Sequence, residues 1–255
     1  MPPNSDISTS VAGLWLRRIL DFLFPPYCVA CRRMGQWLCA SCIATITPLD
    51  LEHCPQCGLR TVRPGICTHC RIVPSFLVGI HSLSAHQSPL REAVHALKYE
   101  GVRVLTKPLT QLLAEHWRQQ EASAEVVVAV PLYPRREAQR GYNQSRLLAT
   151  EFAETMELTL VDGALQRTRA TRAQVGLGVE DRWANVQDAF AIRDTASSQA
   201  LVGRHVLLID DVYTTGATLE SCAQVLLRSG ANTVRALTVT RAIGGGDDAY
   251  RGSRR

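Results

Sequence analysis

No run of about 18 uninterrupted apolar residues occurs in this 255-residue chain, which argues against a conventional membrane-spanning helix. The nearest approach is residues 11–24. Arg17, Arg18 and Asp21 interrupt it where a secretory signal would be purely apolar, and Pro25 and Pro26 end it. Its stripe suits a helix packed on the protein itself, although Trp15 and Phe22 also suit a membrane-surface helix. A cytoplasmic location is the expectation. Strong net charge is absent too: the formal value is +5, so the placement of charge matters more than its size. Cysteine is almost missing after residue 70, with Cys222 the exception and most simply a small buried apolar side chain.

The first 70 residues hold the other eight cysteines, as four Cys-x-x-Cys pairs: Cys28/Cys31, Cys39/Cys42, Cys54/Cys57 and Cys67/Cys70. Two thiolates on one tight knuckle can face a single tetrahedral zinc, and two knuckles close a structural site, so eight ligands make two zinc sites. Disulfides are disfavoured without a secretory signal, and redox chemistry without a surrounding βαβ unit. The gaps between pairs are 7, 11 and 9 residues. Sequential pairing closes the shorter loops and is expected, each half like a small zinc ribbon; interleaved pairing is sterically open. His53 and His69 adjoin ligands but are surplus to two complete thiol sets.

This composition shift divides the chain: an amphipathic helix over 1–24, a double zinc ribbon over 25–75, a larger domain over 76–243 and a disordered tail over 244–255. In the larger domain, helices are expected over 89–99, 102–119, 144–156 and 217–227, and strands at 126–130, near Phe190, at 205–209 and at 234–240. The alternation predicts an α/β fold, a parallel sheet with helices on both faces. Ligands in such sheets sit at the carboxyl ends of the strands.

Two segments leave those ends with unusual chemistry. Residues 206–218 run from an apolar strand through Asp210 and Asp211 into Thr214, Thr215, Gly216, Ala217 and Thr218, and then into a helix. Free amides at a helix N-terminus and flanking hydroxyls suit a phosphate, and Gly216 permits close approach. The carboxylates suit a sugar's vicinal hydroxyls or a hydrated Mg²⁺, and they are expected exposed at the strand tip. Residues 131–144 are expected as a long loop in which Arg135, Arg136, Arg140, Gly141, Asn143 and Gln144 meet an anion. Arg146, Arg167, Arg169, Arg172 and Arg182 extend this basic stretch, and nucleic acid would use the same surface, with Tyr133 and Tyr142 stacking bases.

The segment 206–218 resembles the phosphoribosyl pyrophosphate (PRPP) loop of type I phosphoribosyltransferases. With Leu97-Lys98-Tyr99-Glu100-Gly101, Arg140-Gly141-Tyr142-Asn143-Gln144, the Arg167 to Phe190 segment and the four cysteine pairs, the chain resembles the ComF family from about residue 24 to 240. The resemblance implies a type I phosphoribosyltransferase-like sheet behind a double zinc ribbon. It also implies PRPP with Mg²⁺ as ligand and a role in uptake or processing of transforming DNA, with single-stranded DNA and competence-machinery proteins as partners.

Catalysis does not follow from it, since no base-recognition element is evident. If transfer occurs, pyrophosphate leaves the anomeric carbon, with Asp210, Asp211 and Arg140 as the catalytic set. Residues 169–178 suit a lid or a plain surface loop, and 76–86 a hood over the acceptor or an interdomain packing element. The rival reading is a single-stranded-DNA-binding competence factor whose PRPP pocket is regulatory, and a third is an adaptor that docks a partner on the zinc domain.

Overall fold

The computed structural model of the chain describes residues 25–49, 54, 65–72, 75–169 and 188–242. The expected helix at 11–24, Cys57, His53, Arg172, Arg182, residues 170–178 of the lid segment and the tail lie outside the described residues.

Five parallel strands form the main sheet in the order β1-β7-β6-β2-β3. They are β1 (Gly79–Ala85), β2 (Val126–Ala129), β3 (Thr159–Leu160), β6 (His205–Tyr213) and β7 (Thr233–Arg241). The centre is β6, whose Val-Leu-Leu-Ile run is buried on both faces. Leu207 and Ile209 pack with Leu97 of α3 (Leu90–Tyr99), Leu109 and Leu113 of α4 (Thr106–Arg118), and Leu148 and Phe152 of α6 (Gln144–Met156). Val206 and Leu208 pack on the other face with Leu219, Cys222 and Leu226 of α8 (Ala217–Arg228) and Leu201 of α7 (Thr195–Leu201). Helices therefore cover both faces, and Cys222 is core. Among the described residues no helix is long and apolar enough to cross a membrane.

Several expectations are corrected. Residues 76–86 are not a hood: β1 occupies most of them and pairs with β7 as an edge strand. Ser82 and Ser84 disguise it as a polar segment, but each is buried with a partner, Ser82 against the Thr238 hydroxyl at 2.7 Å and Ser84 donating to the Thr47 carbonyl at 2.7 Å. The segment leading from the first cysteine module covers this edge through the Pro48–Ser84 bridge, so a packing role is present.

Phe190 lies in β5 (Phe190–Ile192), which pairs antiparallel with β4 (Leu165–Arg167) outside the main sheet. Residues 131–144 are not one long loop either. Pro134–Arg140 forms helix α5, with Pro134 at its first turn and Gly141 closing it at φ 80°.

Near the start of the described chain, Cys28, Cys31, Cys39 and Cys42 are gathered by a tight turn, in which Arg32 N–H donates to the Cys28 carbonyl at 2.8 Å, and by the short helix α1 (Ala40–Ile43). A second short helix, α2 (Thr68–Ile72), carries Cys70.

Candidate functional site

The four thiols of the first group lie within 4.8 Å of one another. Cys28 Sγ to Cys42 Sγ is 3.7 Å and Cys31 Sγ to Cys39 Sγ is 3.6 Å. A disulfide requires about 2.05 Å, whereas four sulfurs about 2.3 Å from one tetrahedral zinc are about 3.8 Å apart. The geometry fits zinc. Cys54, Cys67 and Cys70 form a second group within the same limit. There Cys67 N–H donates to Cys54 Sγ at 3.3 Å and Cys70 N–H to Cys67 Sγ at 3.4 Å, bonds that favour the thiolate a metal requires. Both groups follow the sequential pairing; Cys57 lies outside the described residues.

At the carboxyl ends of the parallel strands, a cavity of about 500 Å³ opens among Asp210, Asp211, Thr214, Gly216 and Thr218 on one side and Arg136, Arg140, Gln144 and Arg167 on another. Helix α3 forms a further wall. Its residues Arg91, Val94, His95, Lys98 and Tyr99 recur at helical spacing along the lining, while Leu90, Ala93 and Leu97 are buried in the core.

The acidic pair is not an exposed strand tip. Strand β6 continues to Tyr213, past the expected end at Ile209, and Asp211 is 3% exposed. Lys98 Nζ lies 2.8 Å from Asp211 Oδ1. Asp211 Oδ2 is buried and has no hydrogen-bond partner among the described residues. Asp210 Oδ1 accepts from the Ser145 hydroxyl at 2.8 Å and from the Asp211 amide at 2.9 Å. Burial and the neighbouring Asp211 charge nevertheless push the Asp210 carboxyl up to about 7, against the opposing pull of Lys98. Burial works against the charge on Lys98, but Asp211 and Asp210 hold its ammonium above the ordinary lysine value. Burial and the nearby Lys98 and Arg91 push His86, another lining residue, below the ordinary histidine range.

The phosphate-loop candidate connects β6 to α8 directly. Gly216 takes φ 82° at the helix start, and a Cβ there would lie 2.9 Å from Tyr213 Oη. Two constraints, handedness and contact with Tyr213, therefore select glycine. The Tyr213 ring is itself covered by Arg241, whose guanidinium carbon is 4.2 Å from the ring centre. Thr215 Oγ1 is buried without a hydrogen-bond partner among the described residues.

The basic segment divides. Arg136 and Arg140 line the cavity; Arg140 donates to Gln144 Oε1 and lies over the Tyr99 ring at 5.4 Å. Arg135 is exposed on α5 outside the lining, and Gly141 serves the helix end. Asn143 is buried as the cap of α6, accepting from Ser145 N–H at 2.9 Å and donating to the Val130 carbonyl at 2.9 Å. Tyr142 cannot stack a base: it is buried, donates to the Leu97 carbonyl, and its ring is covered by Arg103 at 4.3 Å. Arg146 pairs with Asp162 away from the cavity. Arg167, remote in sequence from the α5 arginines, joins them in the lining.

Direct magnesium ligation through Asp211 Oδ1 or Asp210 Oδ1 does not fit this donor set, because a lysine ammonium holds the first and two protein donors hold the second.

These features define the class: an α/β protein with a cation-rich cavity at the strand ends, preceded by cysteine modules for zinc. A family model described as "Double zinc ribbon domain" matches residues 19–71. "DNA utilization protein YhgH" of Shigella flexneri is 32% identical over 228 residues, 86% of this chain and 98% of that protein, and the Escherichia coli (strain K12) protein of that name shares the same values. "Competence protein F" of Haemophilus influenzae is 26% identical over 84% of this chain and 96% of that protein. Among solved structures, adenine phosphoribosyl transferase from Trypanosoma brucei aligns at 13% identity with a TM-score of 0.38, covering 68% of this chain and 77% of that chain. The chain belongs to the ComF family, with these DNA utilization and competence proteins.

Proposed function

We propose that the cavity binds PRPP or a closely related phosphoribosyl ligand, and that this serves the uptake or processing of transforming DNA. One observation carries the reading: residues distant in sequence converge on one cavity with chemistry for each part of such a ligand. The Thr214 to Thr218 turn suits the 5′-phosphate through amides and hydroxyls. Asp210 and the orphaned Asp211 Oδ2 suit the ribose hydroxyls. Arg136, Arg140 and Arg167 suit the diphosphate. If the ligand reacts, an acceptor nucleophile forms the new bond at the anomeric carbon as pyrophosphate departs with the bonding pair; these arginines neutralise its charge, while Asp210 and Asp211 hold the sugar. Magnesium arriving with the ligand would supply further neutralisation of that leaving group.

Calorimetry with PRPP, ribose 5-phosphate and pyrophosphate tests the reading: all three should bind the zinc-loaded protein, PRPP most tightly. Failure of PRPP to bind at millimolar concentration in the presence of Mg²⁺ overturns it.

A second reading, binding of single-stranded DNA by the first cysteine module, is favoured by Tyr27, Met34 and Trp37. They are 46%, 60% and 38% exposed beside the exposed Arg32 and Arg33. Tyr27→Ala with Trp37→Ala should weaken salt-sensitive oligonucleotide binding and leave PRPP binding unchanged; no oligonucleotide binding at low salt refutes it.

A further inference from the structure

We infer that Lys98 is a positioning residue that takes the cation's place at the acidic pair, so that Asp210 and Asp211 receive a sugar without directly ligating a divalent metal. This rests on the phosphoribosyl reading only for the identity of the ligand.

The Lys98 ammonium is 2.8 Å from Asp211 Oδ1, and its side chain is 20% exposed against 4% for that of Asp211. It reaches the pair from α3, whose opposite side is fixed in the core by Leu90, Ala93 and Leu97. Helix and strand therefore set this contact, and a loop is not required to close. Asp210 Oδ1 is already engaged by Ser145 and by the Asp211 amide. A magnesium ion needs near-octahedral oxygen ligands at about 2.0–2.1 Å, and at Asp211 it would meet the ammonium already in place.

On Asp211 what remains is Oδ2, a buried acceptor without a hydrogen-bond partner among the described residues, next to the Lys98 ammonium. A neutral hydroxyl satisfies it; a second cation beside Lys98 meets repulsion. His86, Arg91 and His95, on the same side of the cavity, add no carboxylate ligand. Glu92, next along α3, is paired with Arg91 and is not in the lining. Any Mg²⁺ that accompanies PRPP would then depend on the ligand's own oxygens and not on Asp211.

The test uses Mn²⁺ as the probe, followed by the paramagnetic resonance of the free ion, on zinc-loaded full-length protein without a phosphoribosyl ligand. The Asp210→Asn/Asp211→Asn protein is the blank. Wild type should take up no more Mn²⁺ than this blank at millimolar metal. Lys98→Met should gain one site that disappears when Asp211→Asn is added. In parallel, ribose 5-phosphate is titrated in metal-depleted buffer. Wild type should bind equally with and without Mg²⁺. Lys98→Met should bind about ten-fold more weakly and recover with Mn²⁺, and Lys98→Arg should retain affinity without metal.

Mn²⁺ uptake by wild type above the blank overturns the proposal, as does a folded Lys98→Met protein that gains no site. Should Lys98→Met not fold, Lys98→Gln provides the same comparison. If ribose 5-phosphate fails to bind wild type, the phosphoribosyl reading falls while the Mn²⁺ result still judges the lysine.

Discussion

Adjacent aspartates with similar chemistry should have opposite effects on stability. The Asp210 carboxyl rises from 3.8 to about 7 on folding, a penalty on the order of 4 kcal/mol once both states are ionised. Between about pH 4 and pH 7 the unfolded chain has released this proton while the folded chain retains it, so this term lowers stability as pH rises through that window. Above the folded value it is constant. Asp210→Asn removes the ionisation, and an amide oxygen at that position still accepts from Ser145 and from the Asp211 amide. The attraction of Lys98 is already contained in that shift, so the gain is up to about 4 kcal/mol at pH 8, or roughly 8–16 °C in melting temperature. Roughly half should be present at pH 5.5.

Asp211→Asn acts in the other direction, because it leaves the largely buried Lys98 ammonium without its nearest counter-charge. A loss of about 2 kcal/mol is expected at pH 5.5, below the range for fully buried pairs because Lys98 keeps some solvent contact, and a smaller loss at pH 8, where removing the Asp211 charge also relieves ionised Asp210. Calorimetric or fluorescence melting of zinc-loaded protein at the two pH values decides the matter. An Asp210→Asn advantage that does not widen with pH, or an Asp211→Asn protein as stable as wild type, refutes the reasoning.

Purified protein should hold two zinc ions per chain, and Cys39→Ser should lower the count to one and destabilise the first module, as measured by metal analysis and melting; an unchanged count refutes the first site. Arg136→Ala with Arg140→Ala should weaken PRPP by about ten-fold or more while sparing ribose 5-phosphate, and calorimetry that shows both equally affected would sink the diphosphate assignment. Gly216→Val should weaken both ligands and also lower the melting temperature, because the new Cβ meets Tyr213 and the φ of 82° strains a β-branched residue by about 1–3 kcal/mol. Unchanged melting would refute the Tyr213 contact.

The acidic pair, threonine turn and cysteine knuckles were legible because each is a local arrangement: a fully apolar strand into carboxylates, hydroxyls at a helix start, thiols two residues apart. Helix α5 had a local signal too, Pro134 before Arg, Glu, Ala and Gln with Gly141 at the end. The concentration of arginine drew attention to binding and hid that ordinary helix grammar. Strand β1 was harder, because Ser82 and Ser84 resemble solvent-facing residues until Thr238 and the Thr47 carbonyl arrive from elsewhere in the chain.

Lys98 was hardest. Within Leu97-Lys98-Tyr99-Glu100-Gly101 it contributes to the family resemblance without a role of its own, and only the packing of α3 against the sheet turns its side of the helix into a cavity wall. Its partner lies far along the sequence, so no periodicity could reveal the pair. The carboxylates alone allow either a sugar or a metal; the buried ammonium beside Asp211 occupies one of the oxygens that either would use. Sequence spacing thus defines the local donors, while tertiary packing determines which of their oxygens remain available to a ligand.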